Sequence, residues 1–393
     1  MSTLTPIDYL NQNQERIIQT YRDLHELAEP SWEEKRTSDY LLHRLEEVGY
    51  SVQQFEGHYG LIAQIEGETS DVVALRADMD ALVQDVDGVV KANHSCGHDA
   101  HSTMVLHTAI ALASGNLRPY KTVRFIFQPA EEKGEGALQL ITDGALNNVK
   151  MLLGVHLRPV MEVPYGKAAP AILHGASTSI RGVIKGLQAH AARPQNGKNP
   201  IEAASFLIQA LQGIRLQAGD PFSVKMTQLH AGGESSNIIP DKATFTLDMR
   251  AQTNEGMAEL KEKTVHTMET VAALTGTSIE WESDGYSPAA TLNDKMIKLA
   301  AGAIAKVLGP ENLAESCVTQ GGEDFHFYAL ENPDLSATMI GLGSDLRPGL
   351  HHPHMSFRLD ALVYGTKILT TALLEAAISS PSERKGDLFI GEN

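Results

Sequence analysis

The stretch HSCGHDAH, residues 94–101, holds three histidines, a cysteine and an aspartate, and Cys96 is one of only two cysteines in the chain. Cys96 and His98 stand two positions apart, with Gly97 between them to let the backbone turn sharply. A thiolate and an imidazole so placed are donors for a borderline-soft divalent ion such as zinc, manganese or cobalt. The competing explanation is a polar helix start, in which Asp99 offsets the dipole of a helix running through HSTMVLHTAIALA. The two are compatible, and together they make Asp99 structural rather than a ligand. His101, one turn beyond His98, either faces the same site or is a solvated or hydrogen-bonded helix histidine. His94 is equally open.

Further along, PAEE places Glu131 and Glu132 directly after the apolar run TVRFIF. Adjacent side chains point in different directions, so one can bind an ion while the other serves water as a general base. Most Glu-Glu pairs are solvated surface, but this one lies between an apolar strand and the glycine-rich KGEGAL. ADMDA sets Asp78 and Asp80 on one side of a continuing strand, as ligands or as carboxylates that orient a histidine. For either alone, turn formation is the alternative. With His156 after MLLGV and the HHPH run after DLRPGL, four polar clusters stand at or just beyond the ends of apolar runs. Sites form at the carboxyl ends of strands in open α/β sheets, so four distant segments are expected to converge.

The elements that must position these residues follow from periodicity. Two amphipathic helices are expected in IDYLNQNQERIIQTYRDLHELA and TSDYLLHRLEEVG, with Gly49 closing the second. Short strands in GLIAQIEG, DVVALRAD, TVRFIFQP and MLLGVHL alternate with helices, which predicts an α/β fold with a parallel or mixed sheet covered on both faces. Around residue 178 the texture becomes βαββαβ, the order of a small α+β insert on a four-stranded sheet. The α/β texture resumes near residue 288. The expected domains are thus 1–177 with 288–393, interrupted by 178–287, and the tail SSPSERKGDLFIGEN is expected to be poorly ordered.

Bulk composition narrows the partners. Of 393 residues, 49 are acidic and 32 basic, and a net charge of −17 repels polyanions, so nucleic acid is not an expected partner. No apolar run approaches a membrane span, and MSTLTPIDYLNQNQERII lacks the parts of a signal peptide, which points to the cytoplasm and away from membranes. Cys96 and Cys317 have no disulfide framework around them.

Read in order, LHELAEPSWEEKRTSDYL, LRADMDAL, CGHDAH, QPAEEKGEGA, GVHL, GLQAHAARPQNGKNPIEAA, GGESSNIIPDKATFTLDMR, GGEDFHFY and LHHPHMSF resemble the dinuclear metallo-amidohydrolases. That group includes hippurate hydrolase, indole-3-acetyl-amino-acid hydrolase and bacterial N-acyl-amino-acid deacetylases, within the aminoacylase and carboxypeptidase G superfamily. The resemblance implies a zinc-exopeptidase-like catalytic domain with an inserted ferredoxin-like lid and dimerisation domain. It also implies two divalent ions per subunit (Mn, Zn, Co or Ni), a small N-acyl amino acid substrate, and a homodimer formed through the insert. By the same resemblance Cys96 is a thiolate shared between two ions, and His98, Glu132 and His156 are further ligands. The last ligand maps onto His351, with His352 and His354 close enough to keep the choice open. Glu131 matches the general base, Asp80 supports the ligands, and Asp78 stands where more distant relatives carry a ligand. In the insert, His190 resembles a histidine that holds the scissile carbonyl oxygen, often across a dimer interface, and Asn237 and Arg250 resemble residues that bind the substrate carboxylate. Ordinary roles exist for each: a strand-end histidine, a turn former and a surface cation.

The family pattern is broken in one place. Relatives commonly follow the DMDAL run with a proline, a glutamate and a longer loop, and here the shorter VQDVDGVVKANHS stands instead, so their acyl preferences do not carry over. Pro30 is also shifted within LAEPSWEE. The expected activity is hydrolysis of an N-acyl amino acid or a small peptide-like amide. The rivals are a metal- or peptide-binding protein on the same fold, a dipeptidase-like exopeptidase, and a thiol enzyme using Cys96 as nucleophile.

Overall fold

The computed structural model describes residues 5–115, 119–217, 219 and 221–378, so the tail from residue 379 onward lies outside the described residues. The chain divides into two compact units. One holds the described residues up to Leu173, Thr291–Cys317 and those from Phe327 onward; the other holds His174–Ala290 and Val318–His326.

The first unit is built on a seven-stranded mixed sheet. Its order is Val52–Gln54, Leu61–Ile65, Lys121–Gln128, Thr69–Asp78, Val149–Pro159, Ser336–Leu346 and Ala168–Ala169. The four strands Lys121–Gln128, Thr69–Asp78, Val149–Pro159 and Ser336–Leu346 run parallel as neighbours, and the others join antiparallel. Thr69–Asp78 is buried continuously from Val72 to Asp78. An unbroken buried run is the mark of a strand covered on both faces. The apolar core joins this sheet to the helices Gln14–Glu26, Lys35–Glu46, His98–Ser114, Asp294–Leu308 and Asp360–Ile378. His98–Ser114 is buried on every side from His98 to Leu112.

Two local expectations are corrected. The first long helix is two, Pro6–Gln12 and Gln14–Glu26, separated at Asn13, whose side chain turns back to donate to the Tyr9 carbonyl at 2.8 Å. A short amide that bonds its own backbone competes with the helix ladder, and here it breaks the helix. The segment read as a loop after DMDAL is a hairpin, Leu82–Val86 paired with Val89–Asn93. Asp87 and Gly88 both take positive φ, 56° and 84°, as a two-residue primed turn requires.

The second unit is a four-stranded antiparallel sheet in the order Phe222–Ala231, Lys242–Ala251, Ala176–Lys185, Ser278–Ser287. With the helices Pro200–Leu211 and Asn254–Thr275 this gives the βαββαβ order expected of a ferredoxin-like domain. Both helices start on side-chain caps: Asn199 accepts from Ile201 N–H, and Thr253 from Gly256 N–H. A small ribbon, Ala189–His190 with Ile238–Ile239, stands beside the sheet.

Candidate metal centre

The four parallel strands end at one edge, and that common edge explains the convergence. Asp78 closes its strand, and Glu131 and Glu132 lie just past Gln128. His156 lies inside its strand rather than beyond it, and His351 follows Leu346 across a short turn. Cys96 and His98 arrive through the helix start, where Gly97 adopts φ 90° and an added Cβ would press to 3.1 Å on Leu157. Only glycine takes that left-handed conformation without strain.

The donors then close on one another. Cys96 Sγ lies 3.6 Å from His156 Nε2. His98 Nε2 stands 3.7 Å from a Glu131 oxygen and 3.8 Å from Glu132 Oε1, and His351 Nε2 is 3.6 Å from the same Glu132 oxygen. Three overlapping sets, Cys96/His98/His156, Cys96/Glu132/His351 and His98/Glu131/Glu132, each hold their donor atoms within 4.8 Å. His98 Nε2 and Glu132 Oε1 are buried without a hydrogen-bond partner among the described residues. Leaving such atoms unsatisfied costs about 1–3 kcal/mol each. Cations satisfy both at once, and sulfur, imidazole and carboxylate donors suit zinc, cobalt or manganese, so the residues fit a metal.

Around the donors lies a layer that fixes them. Asp80 Oδ1 takes the His98 Nδ1 proton at 3.1 Å, while its Oδ2 accepts from Ser31 Oγ at 2.6 Å and from the Glu132 N–H at 3.1 Å. With Nδ1 turned to Asp80, Nε2 is the His98 atom that faces the other donors and would meet an ion once its proton is released. His156 Nδ1 donates to the Leu157 carbonyl at 2.7 Å, freeing its Nε2. His101 proves to be a hydrogen-bonded helix histidine. Its Nδ1 meets Asp78 at 2.7 Å and its Nε2 accepts from the Leu157 N–H at 3.0 Å. Asp78 is in turn paired with the buried Arg76. Asp99 accepts from His25 at 2.6 Å and from the Ala100 N–H at 2.8 Å, as a helix-start residue does. His94 is buried with neither ring nitrogen hydrogen-bonded.

Electrostatics favour a cation. Burial, with repulsion from Glu132, drives the Cys96 thiol well above its ordinary pKa, and burial lifts the Glu132 carboxyl to about 7. Burial alone would lower His98, but Asp78, Cys96 and Asp80 outweigh it and hold its pKa well above the usual histidine value. Asp78 and Asp80 are shifted the other way: burial opposes their charge, yet His98 and their hydrogen bonds hold both below the normal range. Acids that burial keeps from ionising are ones whose anions a divalent ion stabilises.

Two of the segments carrying donors bend through left-handed residues that are not glycine, Ala130 at φ 54° and His351 at φ 62°. Each such conformation costs roughly 1–2 kcal/mol unless something holds it. Hydrogen bonds from residues distant in sequence meet both corners. Glu34 accepts the Ala130 N–H at 2.9 Å. Gln84, from the unexpected hairpin, donates to the His351 carbonyl at 2.8 Å, and the His351 N–H donates to the Ser95 carbonyl at 2.7 Å. Ser31 and Glu34 have the spacing of a helix capping box, a local pattern that conceals their use. The structure instead sends Ser31 to Asp80 and Glu34 to Ala130. Burial pushes the Glu34 carboxyl up to about 7.

The candidates in the second unit are arranged differently. His190 and Asn237 come together at the small ribbon, where the Ala191 N–H donates to the Asn237 carbonyl at 2.9 Å. His190 Nδ1 accepts from the Ala192 N–H at 3.0 Å, and both side chains are exposed. Arg250 sits apart on the sheet, its guanidinium held by Asp248 at 3.0 Å and by the Gln320 carbonyl at 2.9 Å.

A buried sulfur, imidazole and carboxylate centre at the ends of parallel strands, with a carboxylate beside the donors, is the arrangement of a metallohydrolase. Residues 74–375 match the model of peptidase family M20/M25/M40, and the chain belongs to that family. Among its curated relatives are IAA-amino acid hydrolase ILR1-like 2 of Arabidopsis thaliana and N-acetylcysteine deacetylase of Bacillus subtilis strain 168. Each is 33% identical over 90% of this chain, covering 83% and 94% of those proteins respectively. Hippurate hydrolase of Campylobacter jejuni is 31% identical over 78% of this chain and 82% of its own. The crystal structure of the Bacillus subtilis YXEP protein, described as a dinuclear metal-binding peptidase from the M20 family, superposes with a TM-score of 0.80. It is 28% identical and covers 93% of this chain and 99% of that one.

Proposed function

We propose that the protein is a metal-dependent amidohydrolase that cleaves the amide bond of N-acyl amino acids or small peptide-like amides. The observation that carries this reading is the donor cluster, buried at Cys96, His98 and His156, with His98 Nε2 and Glu132 Oε1 unpartnered among the described residues and a second carboxylate, Glu131, alongside. The relatives named for N-acyl amino acid substrates supply the substrate class. Cys96, His98, Glu132, His156 and His351 would hold two divalent ions. Bound there, such ions supply Lewis acidity to the scissile carbonyl and lower the pKa of the attacking water.

The chain's own residues do the rest. Glu131 takes a proton from the attacking water and returns it to the departing amine nitrogen. Asp80 keeps the His98 ring turned so that its Nε2 faces the site, and Asp78 fixes the His101 ring behind it, whose Nε2 accepts from the Leu157 N–H. His190 steadies the oxygen on which negative charge develops, and Asn237 and Arg250 receive the substrate carboxylate. For Arg250 that carboxylate must displace, or join, Asp248. The second unit serves as a lid and as the surface of a homodimer. Two free, buried thiols suit a reducing cytoplasm, and among the described residues no helix is long and apolar enough to cross a membrane.

A thiol mechanism is disfavoured because burial and Glu132 hold the Cys96 thiol protonated when no ion is bound, and the thiolate is the nucleophilic form. The deciding experiment is amine release from a panel of N-acyl amino acids by metal-stripped protein, with manganese, zinc or cobalt added back. Release restored by metal is expected, and the best substrate identifies the acyl preference. Activity that survives chelation and dies on alkylation would establish the thiol route. Protein that binds two ions yet hydrolyses none of the panel would establish the binding-protein alternative or another amide class.

A further inference from the structure

Beyond the donors themselves, one buried acid occupies a decisive place. Glu34 is fully buried, and its Oε1 accepts two backbone N–H groups at 2.9 Å, those of Trp32 and Ala130. Its Oε2 has no hydrogen-bond partner among the described residues. The Ala130 N–H has left the sheet, since the ladder between the two strands ends at the pair Asp78 and Gln128. A buried N–H in that position requires another acceptor. Ala130 is left-handed and wholly buried, and its carbonyl accepts from the Gly136 N–H at 3.2 Å. The turn therefore has a closed outer end and one side-chain acceptor at its strained corner. The next two residues are Glu131 and Glu132, whose divergence depends on the direction in which that corner sends the chain.

We infer that Glu34 is a positioning residue: by accepting the Ala130 N–H it holds the left-handed corner from which Glu131 is aimed as base and Glu132 as metal donor. This rests on the amidohydrolase reading for its rate measurements, but not for its metal measurements. Without the acceptor, Ala130 relaxes toward the right-handed or extended backbone that a residue with a Cβ prefers, and both carboxylates swing. A glutamine keeps the accepting oxygen. A glycine at 130 removes the preference against the left-handed corner.

The test compares Glu34→Ala, Glu34→Gln, Ala130→Gly and the double variant Glu34→Ala/Ala130→Gly. Metal-stripped proteins are titrated with cobalt(II), followed by its visible absorption, and the cobalt-loaded proteins are assayed on an N-acyl amino acid; melting of the stripped proteins reports the fold. Outer residues that orient ligands typically change metal affinity or activity about 10–100-fold. For Glu34→Ala the expected result is a loss of about tenfold or more in both cobalt affinity and kcat, with KM changed far less. Glu34→Gln should stay close to the parent, and the double variant should recover a substantial part of the loss. A packing role alone would not be rescued by removing a methyl group at another residue.

The inference is overturned if Glu34→Ala leaves cobalt affinity at the parental value, or if Ala130→Gly recovers nothing in a Glu34→Ala protein that melts as the parent does. Should Glu34→Ala not fold, Glu34→Asp, whose carboxylate is drawn back from Ala130, is judged by the same cobalt titration and the same rescue. If the parent hydrolyses no amide, the functional reading falls, while the cobalt series still decides the role of Glu34.

Discussion

The helix His98–Ser114 of the first unit and the helix Asn254–Thr275 of the second are both long, but they live in different surroundings. The first is buried from His98 to Leu112, whereas the second buries only six of its 22 residues. The functional candidates divide in the same way. His98, Asp80 and Asp78 are locked by hydrogen bonds within the protein, while His190 and Asn237 are exposed; Arg250 is the exception in the second unit, held by Asp248 and Gln320. One region has most of its geometry set by bonds within the protein; in the other, His190 and Asn237 stand open to solvent. Preset donors suit chemistry at a metal, and exposed groups suit capture of a substrate that varies.

That contrast can be broken or sharpened by substitution. The largest effect is expected from Glu131→Gln: kcat should fall by about 10²–10⁴, the usual worth of a general base, with the number of ions bound unchanged. Metal loss on that substitution would show Glu131 to be a ligand. His190→Ala should lower kcat by about 10²–10³, as removal of an oxyanion donor does, without altering cobalt binding or melting temperature, because its side chain is exposed. A fall in melting temperature instead would make His190 structural.

Stability tests the preset region more directly. A Cβ at Gly136 would lie 1.7 Å from the Pro129 carbonyl oxygen, inside the turn that carries both glutamates. Gly136→Ala should therefore cost about 1–3 kcal/mol of stability, read by denaturant unfolding, and weaken metal binding with it. The smallest effect is expected from Asp248→Asn, which removes the ion pair on the Arg250 guanidinium and leaves its bond to the Gln320 carbonyl. If Arg250 receives the substrate carboxylate, KM should fall a few-fold at unchanged kcat. A rise would show that Asp248 is needed to aim it.

How far the sequence foretold this depends on the range of each cause. Strand ends were legible because buried parallel strands read as apolar runs, and the polar residues of RADMDA, PAEE and HHPH stand beyond where such runs stop. The hairpin is equally legible: Asp87-Gly88 between alternating residues is a strong turn signal, and it does not depend on the proline that the family carries nearby. The break at Asn13 depends on one side chain bonding Tyr9, which competes with an otherwise good helical pattern. Ser31 and Glu34 were hidden because their partners, Asp80 and Ala130, are distant in sequence while their local spacing suggests a cap. Periodicity reports which face is buried; it does not report which acceptor meets which N–H.

The sheet order carries a consequence for synthesis. Ser336–Leu346 pairs in parallel with Val149–Pro159, and the second unit's Ala176–Ser287 sheet lies between them in the chain. On the ribosome, Val149–Pro159 must wait with an open edge until the insert has been made and the later strand emerges. The insert's own strands are contiguous in sequence and can pair early. Parallel pairing across so long a separation is slow and leaves apolar edges exposed meanwhile. The nascent chain is thus most prone to self-association after the insert folds and before residue 346 appears, and a chaperone that covers strand edges should raise its yield most in that interval.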